Sequence, residues 1–184
     1  MKLLKTIRAD PSDTFVFSTA AEQGEWAVSG AFMFAPQDLG AVTGKARAAF
    51  RSGFLGVGSF GWSTLVQIVS ATEADRAAAV DMLASQLVLH LGAPSLQIAR
   101  LAAEEEIAFA ASLCDHKEGM LIAVSRRYDD GEIREVFRAL SPRGAAPGIR
   151  PLAFLEAADE PAESPAESMD LTADLTALMN GGHR

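Results

Sequence analysis

Hydrophobic and polar positions alternate along the first third of the chain. Lys2-Leu3-Leu4-Lys5-Thr6-Ile7-Arg8 reads as a strand stopped by Asp10-Pro11-Ser12-Asp13. Thr14-Phe15-Val16-Phe17 reads as a short second strand rich in β-formers, and the turn residues between the two predict a hairpin. From Glu25 to Phe34, the large residues Trp26, Val28, Phe32 and Phe34 share one parity, while Ala27, Ser29 and Ala31 share the other. That pattern predicts a strand with one heavily buried face. Gly30 interrupts the large-residue row, which marks a bulge or a close crossing chain. Pro36 ends this strand, and a helix is predicted from about Leu39 to Ser52. Trp62 to Val69 carries apolar residues on both parities, as in a strand covered on both faces or lying mid-sheet under helices.

The period then lengthens. Thr72-Glu73-Ala74-Asp75 has the form of a capping box, and Val80, Leu83, Ala84, Leu87 and Leu91 follow as one helical stripe. Gly92 and Pro94 give the stop, so a helix is predicted over about 73–91. Leu96 to Leu101 reads as a turn or short helix. Ala102 to Cys114 reads as a second strong helix, with Ala103, Ile107, Ala110 and Cys114 on one side. Glu104, Glu105 and Glu106 would then open this helix, and His116 and Lys117 would follow its end, a polarity that suits the helix dipole.

Gly119 to Arg127 is a predicted strand, and two readings fit the residues after it. Ile133, Val136, Phe137 and Leu140 have helical spacing; alternatively, Asp130-Gly131 forms the type I′ turn of a hairpin. The hairpin register would pair Tyr128 with Ile133, Arg126 with Glu135, Val124 with Phe137 and Ile122 with Ala139, at the cost of Arg127 opposite Arg134. The hairpin is preferred because its partners are sensible. The element order predicts an α+β fold: an antiparallel or mixed sheet of about six strands, with helices packed on one face. A single domain is expected over 1–142. Residues 143–184 are rich in Ala, Pro, Gly, Glu and Ser and are expected to form a flexible, disordered acidic tail. Within it, Leu171, Leu175, Leu178 and Met179 trace a short amphipathic helix at 170–179.

Charge sharpens this division. Of the net −8, residues 156–184 contribute seven acids and one arginine, so the body is nearly neutral. Neither part has the basic footprint that nucleic acid requires, and no nucleic-acid partner is expected. No apolar run approaches the roughly 18 residues of a membrane span, so no membrane partner is expected either. The single cysteine, Cys114, and the lack of a signal-like segment predict a cytoplasmic protein.

Gly53, Gly56, Gly58 and Gly61 fall within nine positions, and Gly56 to Gly61 matches G-x-G-x-x-G. A dinucleotide site needs a strand before that motif and a helix opening after it. Here a helical pattern precedes the loop and a strand follows, so a tight connection tucking Phe54, Phe60 and Trp62 onto the core is the better reading. Cys114, His116 and His90 are metal-type ligands without metal-type spacing, and no metal or cofactor is expected. Catalytic spacing is lacking too: there is no Gly-x-Ser-x-Gly, and Cys114 and His116 would diverge on a continuing helix. Glu104 to Glu106 could supply a general base, but acids opening a helix are more often solvated. The arginines form the more promising set. On the hairpin reading Arg127, Arg134 and Arg138 share a face, and together with Arg51 and loop residues Gly56, Gly58 and Gly61 they are the candidate ligand-binding residues. A planar guanidinium fork holds carboxylates and phosphates, so the partner would be a small anionic ligand, an acidic protein or the acidic tail.

Met1 to Phe17, Phe50 to Val69 and Glu104 to His116 resemble a small bacterial family that carries no assigned function, over about residues 1–142. The resemblance implies no activity, cofactor or catalytic residue. The sequence therefore predicts a soluble, non-enzymatic accessory or interaction protein, either a homodimer or bound to a protein partner. The alternative is a small anionic-ligand-binding protein or enzyme that uses the Gly53–Gly61 loop and nearby arginines.

Overall fold

The computed structural model describes residues 1–8, 11–35, 38–142 and 155–157. The expected helix at 170–179, and the expected tail apart from 155–157, lie outside the described residues. Strand β1 (Lys2–Ile7) forms because Leu4 and Thr6 face Ile68 and Val66 across an antiparallel ladder with β5 (Leu65–Ser70), and all four side chains are buried.

The predicted strand at Thr14–Phe17 is instead a short helix, α1 (Ser12–Val16). Local β propensity is overruled there by polar contacts: Thr14 Oγ1 donates to Pro11 O at 2.6 Å, and the buried Asp13 carboxylate accepts from Thr64 N at 3.2 Å and Thr64 Oγ1 at 2.6 Å. The same bonds split the expected strand Trp62–Val69 into β4 (Trp62–Ser63) and β5, with Thr64 between them. The strand expected over 25–34 is also shorter. β2 (Trp26–Val28) ends before Gly30, whose φ of 80° suits glycine, and a 3-10 turn follows at Ala31–Phe34. A Cβ on Gly30 would lie 2.7 Å from Leu55 Cβ, so the close-crossing reading of this glycine is the correct one.

Helix α2 (Gly44–Ser52) starts later than Leu39, and β3 (Phe54–Gly56), not foreseen, joins β2 to β4. Helix α3 (Glu73–Leu91) follows its prediction, with both arms of the Thr72/Asp75 capping box present and Gly92 in the left-handed region at its end. Helix α4 (Leu96–Ser112) is continuous from its Ser95 N-cap, where a break near Leu101 was expected. Glu104 to Glu106 therefore sit within the helix rather than at its start. β6 (Leu121–Asp129) and β7 (Glu132–Pro142) form the hairpin in the predicted register, including Arg127 opposite Arg134. Asp130 and Gly131 both have positive φ, 51° and 85°, as a type I′ turn demands. β8 (Leu155–Ala157), from the stretch expected to be tail, adds to β7.

The sheet order is β4-β3-β2-β1-β5-β6-β7-β8, every ladder between neighbours is antiparallel, and the fold is α+β. Phe54 on β3 and Phe137 on β7 lie five strand intervals apart in that order. In a flat sheet about 24 Å would separate the two strands. Their ring centroids are 6.1 Å apart, so the sheet curls over its own core. Leu83, Leu87, Ala103 and Ile107 of the α3/α4 pair fill the main core, while Phe17, Phe34, Ala49 and Phe50 make a second cluster around α2. Among the described residues no helix is long and apolar enough to cross a membrane.

Candidate functional site

The curl brings the end of β2, the C-terminus of α2 and the β6/β7 hairpin together around one side chain. Arg126 lies on the same parity of β6 as Ile122 and Val124, and its side chain is 0% exposed. Its Nε donates to Glu135 Oε1 at 2.6 Å. Nη1 donates to Gly53 O at 2.6 Å and Phe50 O at 3.2 Å, with Ala49 O at 3.5 Å. Nη2 donates to Ser29 O and, at 3.2 Å, to Ser29 Oγ, while the Ser29 hydroxyl donates to Glu135 Oε1 at 2.6 Å. The guanidinium thus caps Phe50 O in the last turn of α2 and Gly53 O just beyond it, at the negative end of the helix dipole. Burial pulls the Arg126 pKa below the ordinary arginine value, against the opposing pull of the Glu135 carboxylate.

Glu106 on α4 feels the charges of this cluster. Burial first, then the charges of Glu135 and Glu105, push its carboxyl up to about 7, with Arg126 acting in the opposite direction. Among the described residues only Glu135 forms an ion pair with Arg126.

A groove of about 630 Å³ opens between α2 and the part of β6 beyond its pairing with β5, which ends at Ala123. Arg47 and Arg51 line it from α2, Arg127 and Tyr128 from β6, and Leu39 and Val42 add apolar wall. Arg47, Arg51 and Arg127 are exposed and have no hydrogen-bond or ion-pair partner among the described residues. Of the predicted set, Arg51 and Arg127 meet here. Arg134 stands across the ladder from Arg127 and is 3.5 Å from Asp129, and Arg138 stands opposite Ala123. Arg47 was missed, although its position one helical turn before Arg51 made the pair legible. Arg126 was missed as an organiser, although an arginine in a row with Ile122, Val124 and Tyr128 is an anomaly visible in the sequence.

The glycine loop does not line this groove, and its amides face an anion of the chain itself. Gly58 N and Ser59 N donate to Glu25 Oε2 at 2.6 and 2.7 Å, and Ser59 Oγ donates to Oε1 at 2.5 Å. A Cβ on Gly56 would overlap the Glu25 carboxylate, and one on Gly61 would lie 2.7 Å from the Ala20 backbone. Close approach of the 20–25 segment thus explains Gly56, Gly58 and Gly61, while Gly53 is met by Trp62 and the Ala49 backbone. The expected order is corrected in one respect: strand β3, not helix α2, runs directly into Gly56–Gly61, while a strand, β4, leaves it, so no helix opens after the motif.

Cys114 is buried, and burial pushes its thiol up to about 11, which leaves it protonated at neutral pH. His90 stacks on Phe60, with centroids 4.6 Å apart. Among the described residues no group of three His, Cys, Asp or Glu side chains is placed to hold a metal.

Fold and site together define a curled antiparallel α+β domain with an arginine-lined groove over a buried ionic cluster. The chain belongs to DUF6505, a family of unknown function, whose family model matches residues 1–157 and so takes in β8. No curated protein and no solved structure matches it.

Two outcomes follow from the buried cluster. Arg126→Met removes the donor of Phe50 O and Gly53 O and the cation of Glu135, which keeps only the Ser29 hydroxyl, and should cost about 3–5 kcal/mol in urea unfolding; adding Glu135→Leu should recover a large part of that loss. For Glu106, the folded-state pKa lies above the ordinary 4.5, so its contribution to stability is present below about pH 4.5 and is lost as pH rises to about 7. Glu106→Gln should therefore be more stable than the native chain by about 1–2 kcal/mol near pH 8, after allowance for residual solvent screening, and close to it near pH 4.

Proposed function

We propose that the chain is a non-enzymatic binding protein whose α2–β6 groove receives the anionic group of a ligand or protein partner. The observation that carries this reading is the set of three exposed arginines, Arg47, Arg51 and Arg127, converging from two elements on one concavity without a carboxylate among the described residues to neutralise them. Arginine forks favour carboxylate and phosphate, and Tyr128 with Leu39 and Val42 offers apolar contact to whatever bears the anion. The wall is rigid where it matters, because Arg126 ties α2 to β6 directly beneath it. The glycine loop takes no part, since Glu25 engages its amides.

A thermal-shift and calorimetric panel of phosphate, pyrophosphate, nucleotides and dicarboxylates tests the proposal. At least one anion should raise the melting temperature, and Arg51→Ala or Arg127→Ala should weaken its binding about tenfold or more, with Arg100→Ala, outside the groove, as the silent control. A flat response to every anion would refute the reading.

A second surface favours self-association. Leu89, 74% exposed, together with Leu96, Ile98 and Leu101, gathers exposed apolar side chains around the α3–α4 connection. We propose a homodimer through this face. Light scattering should give twice the chain mass, and Leu89→Glu with Leu101→Glu should return a folded monomer; a native chain that is monomeric at all concentrations refutes it.

A further inference from the structure

We propose that the groove's resident ligand is the chain's own acidic segment, residues 158–174, which occupies the arginine site in competition with external anions. This inference rests on the groove reading and adds its regulation. Charge complementarity is the first argument. Asp159, Glu160, Glu163, Glu167, Asp170 and Asp174 lie in this segment, and no Lys or Arg occurs between residues 158 and 183. The groove presents Arg47, Arg51 and Arg127, and the acid nearest in kind, Glu135, is already bound to Arg126.

Reach is the second argument, and it follows from where the described chain leaves the sheet. Ala157 pairs with Leu140 on β7, and Leu140 pairs with Leu121 on β6. Tyr128 in the groove wall is seven residues along β6 from Leu121. At about 3.3 Å per residue that is roughly 23 Å along the strands, and two strand spacings of about 4.8 Å add little to the direct distance. An extended chain covers about 3.3–3.6 Å per residue, so Glu167, ten residues beyond Ala157, can travel about 33–36 Å. Glu167, Asp170 and Asp174 thus have length enough to skirt the hairpin tip and come over the arginines.

Tethering is the third. Because β8 holds Leu155–Ala157 on β7, the segment meets the groove intramolecularly, at an effective concentration in the millimolar range. Carboxylates that would bind three exposed arginines weakly from solution then compete well against dilute external anions. A strongly charged partner, offering several phosphates or carboxylates at once, displaces the segment; a weak one does not. The acidic segment sets a threshold for occupancy.

The test uses the full-length chain in two forms, native and with the segment neutralised by Asp159→Asn, Glu160→Gln, Glu163→Gln, Glu167→Gln, Asp170→Asn and Asp174→Asn. Each is titrated with inorganic pyrophosphate at low ionic strength, and light scattering is run on both. The expected result is about tenfold tighter binding by the neutralised chain, a difference that disappears at high salt and when Arg51→Ala and Arg127→Ala are added. Equal affinity of the two forms overturns the segment's role and leaves the groove reading standing. Binding by neither form, or binding indifferent to the arginine substitutions, overturns both. A native dimer that neutralisation turns into a monomer would mean that the segment binds a second copy, and it too overturns the intramolecular proposal.

Discussion

A guanidinium group excluded from water has to find acceptors inside the protein, and for Arg126 this condition governs how the second half of the fold meets the first. Burying such a charge without partners would cost several kcal/mol, more than most single contacts return. Its acceptors come from three places far apart in sequence: Ser29 after β2, the last turn of α2 with Gly53, and Glu135 on β7. They converge only if the sheet curls until β2 and β3 approach β6 and β7, as the contact between Phe54 and Phe137 also requires. The aromatic contact is tolerant of small shifts. The guanidinium is not, because each N–H has a direction. Packing supplies the driving force for the curl, and Arg126 selects one registration of it.

The same cluster explains why the groove has the form it does. Arg126 and Glu135 consume each other inside, Ser29 shares the carboxylate, and no buried side-chain polar atom among the described residues lacks a partner. The cations immediately outside, Arg47, Arg51 and Arg127, gain nothing from that interior. The glycine loop presents the opposite arrangement. Its backbone amides form an anion-binding concavity of the kind associated with phosphate, and the chain's own Glu25 fills it. The fold thus holds two sets of donors suited to anions. One is satisfied locally and serves structure, and the other faces solvent.

Several elements were readable because their information is local. The capping box at Thr72/Asp75, the stop at Gly92 and the Asp130-Gly131 turn each depend on residues within a few positions, and all three form as read. The hairpin register was readable for a related reason: once the turn is set, every pair down to Leu121 and Leu140 is determined. Failures cluster where distant partners intervene. Asp13 and Thr64, 51 residues apart, turn a β-prone stretch into α1 and break a strand at Thr64. Leu55 crosses at Gly30 and shortens β2. In the site, Arg51 and Arg127 were legible as candidates from type and face, while their meeting with Arg47 was not.

The chain by itself therefore determined the α+β class, the long helix α3, the β6/β7 hairpin with its register, and the strand rather than helix after Gly61 that argues against a dinucleotide loop. These depend on short-range periodicity, capping and turn stereochemistry, which tertiary contacts did not overrule. Only the folded structure decided that Arg126 is internal, that Glu25 occupies the glycine loop, and that Arg47, Arg51 and Arg127 surround one groove. Each of these depends on which groups lie close together after the sheet curls, and proximity across some tens of residues leaves no periodic mark on the sequence.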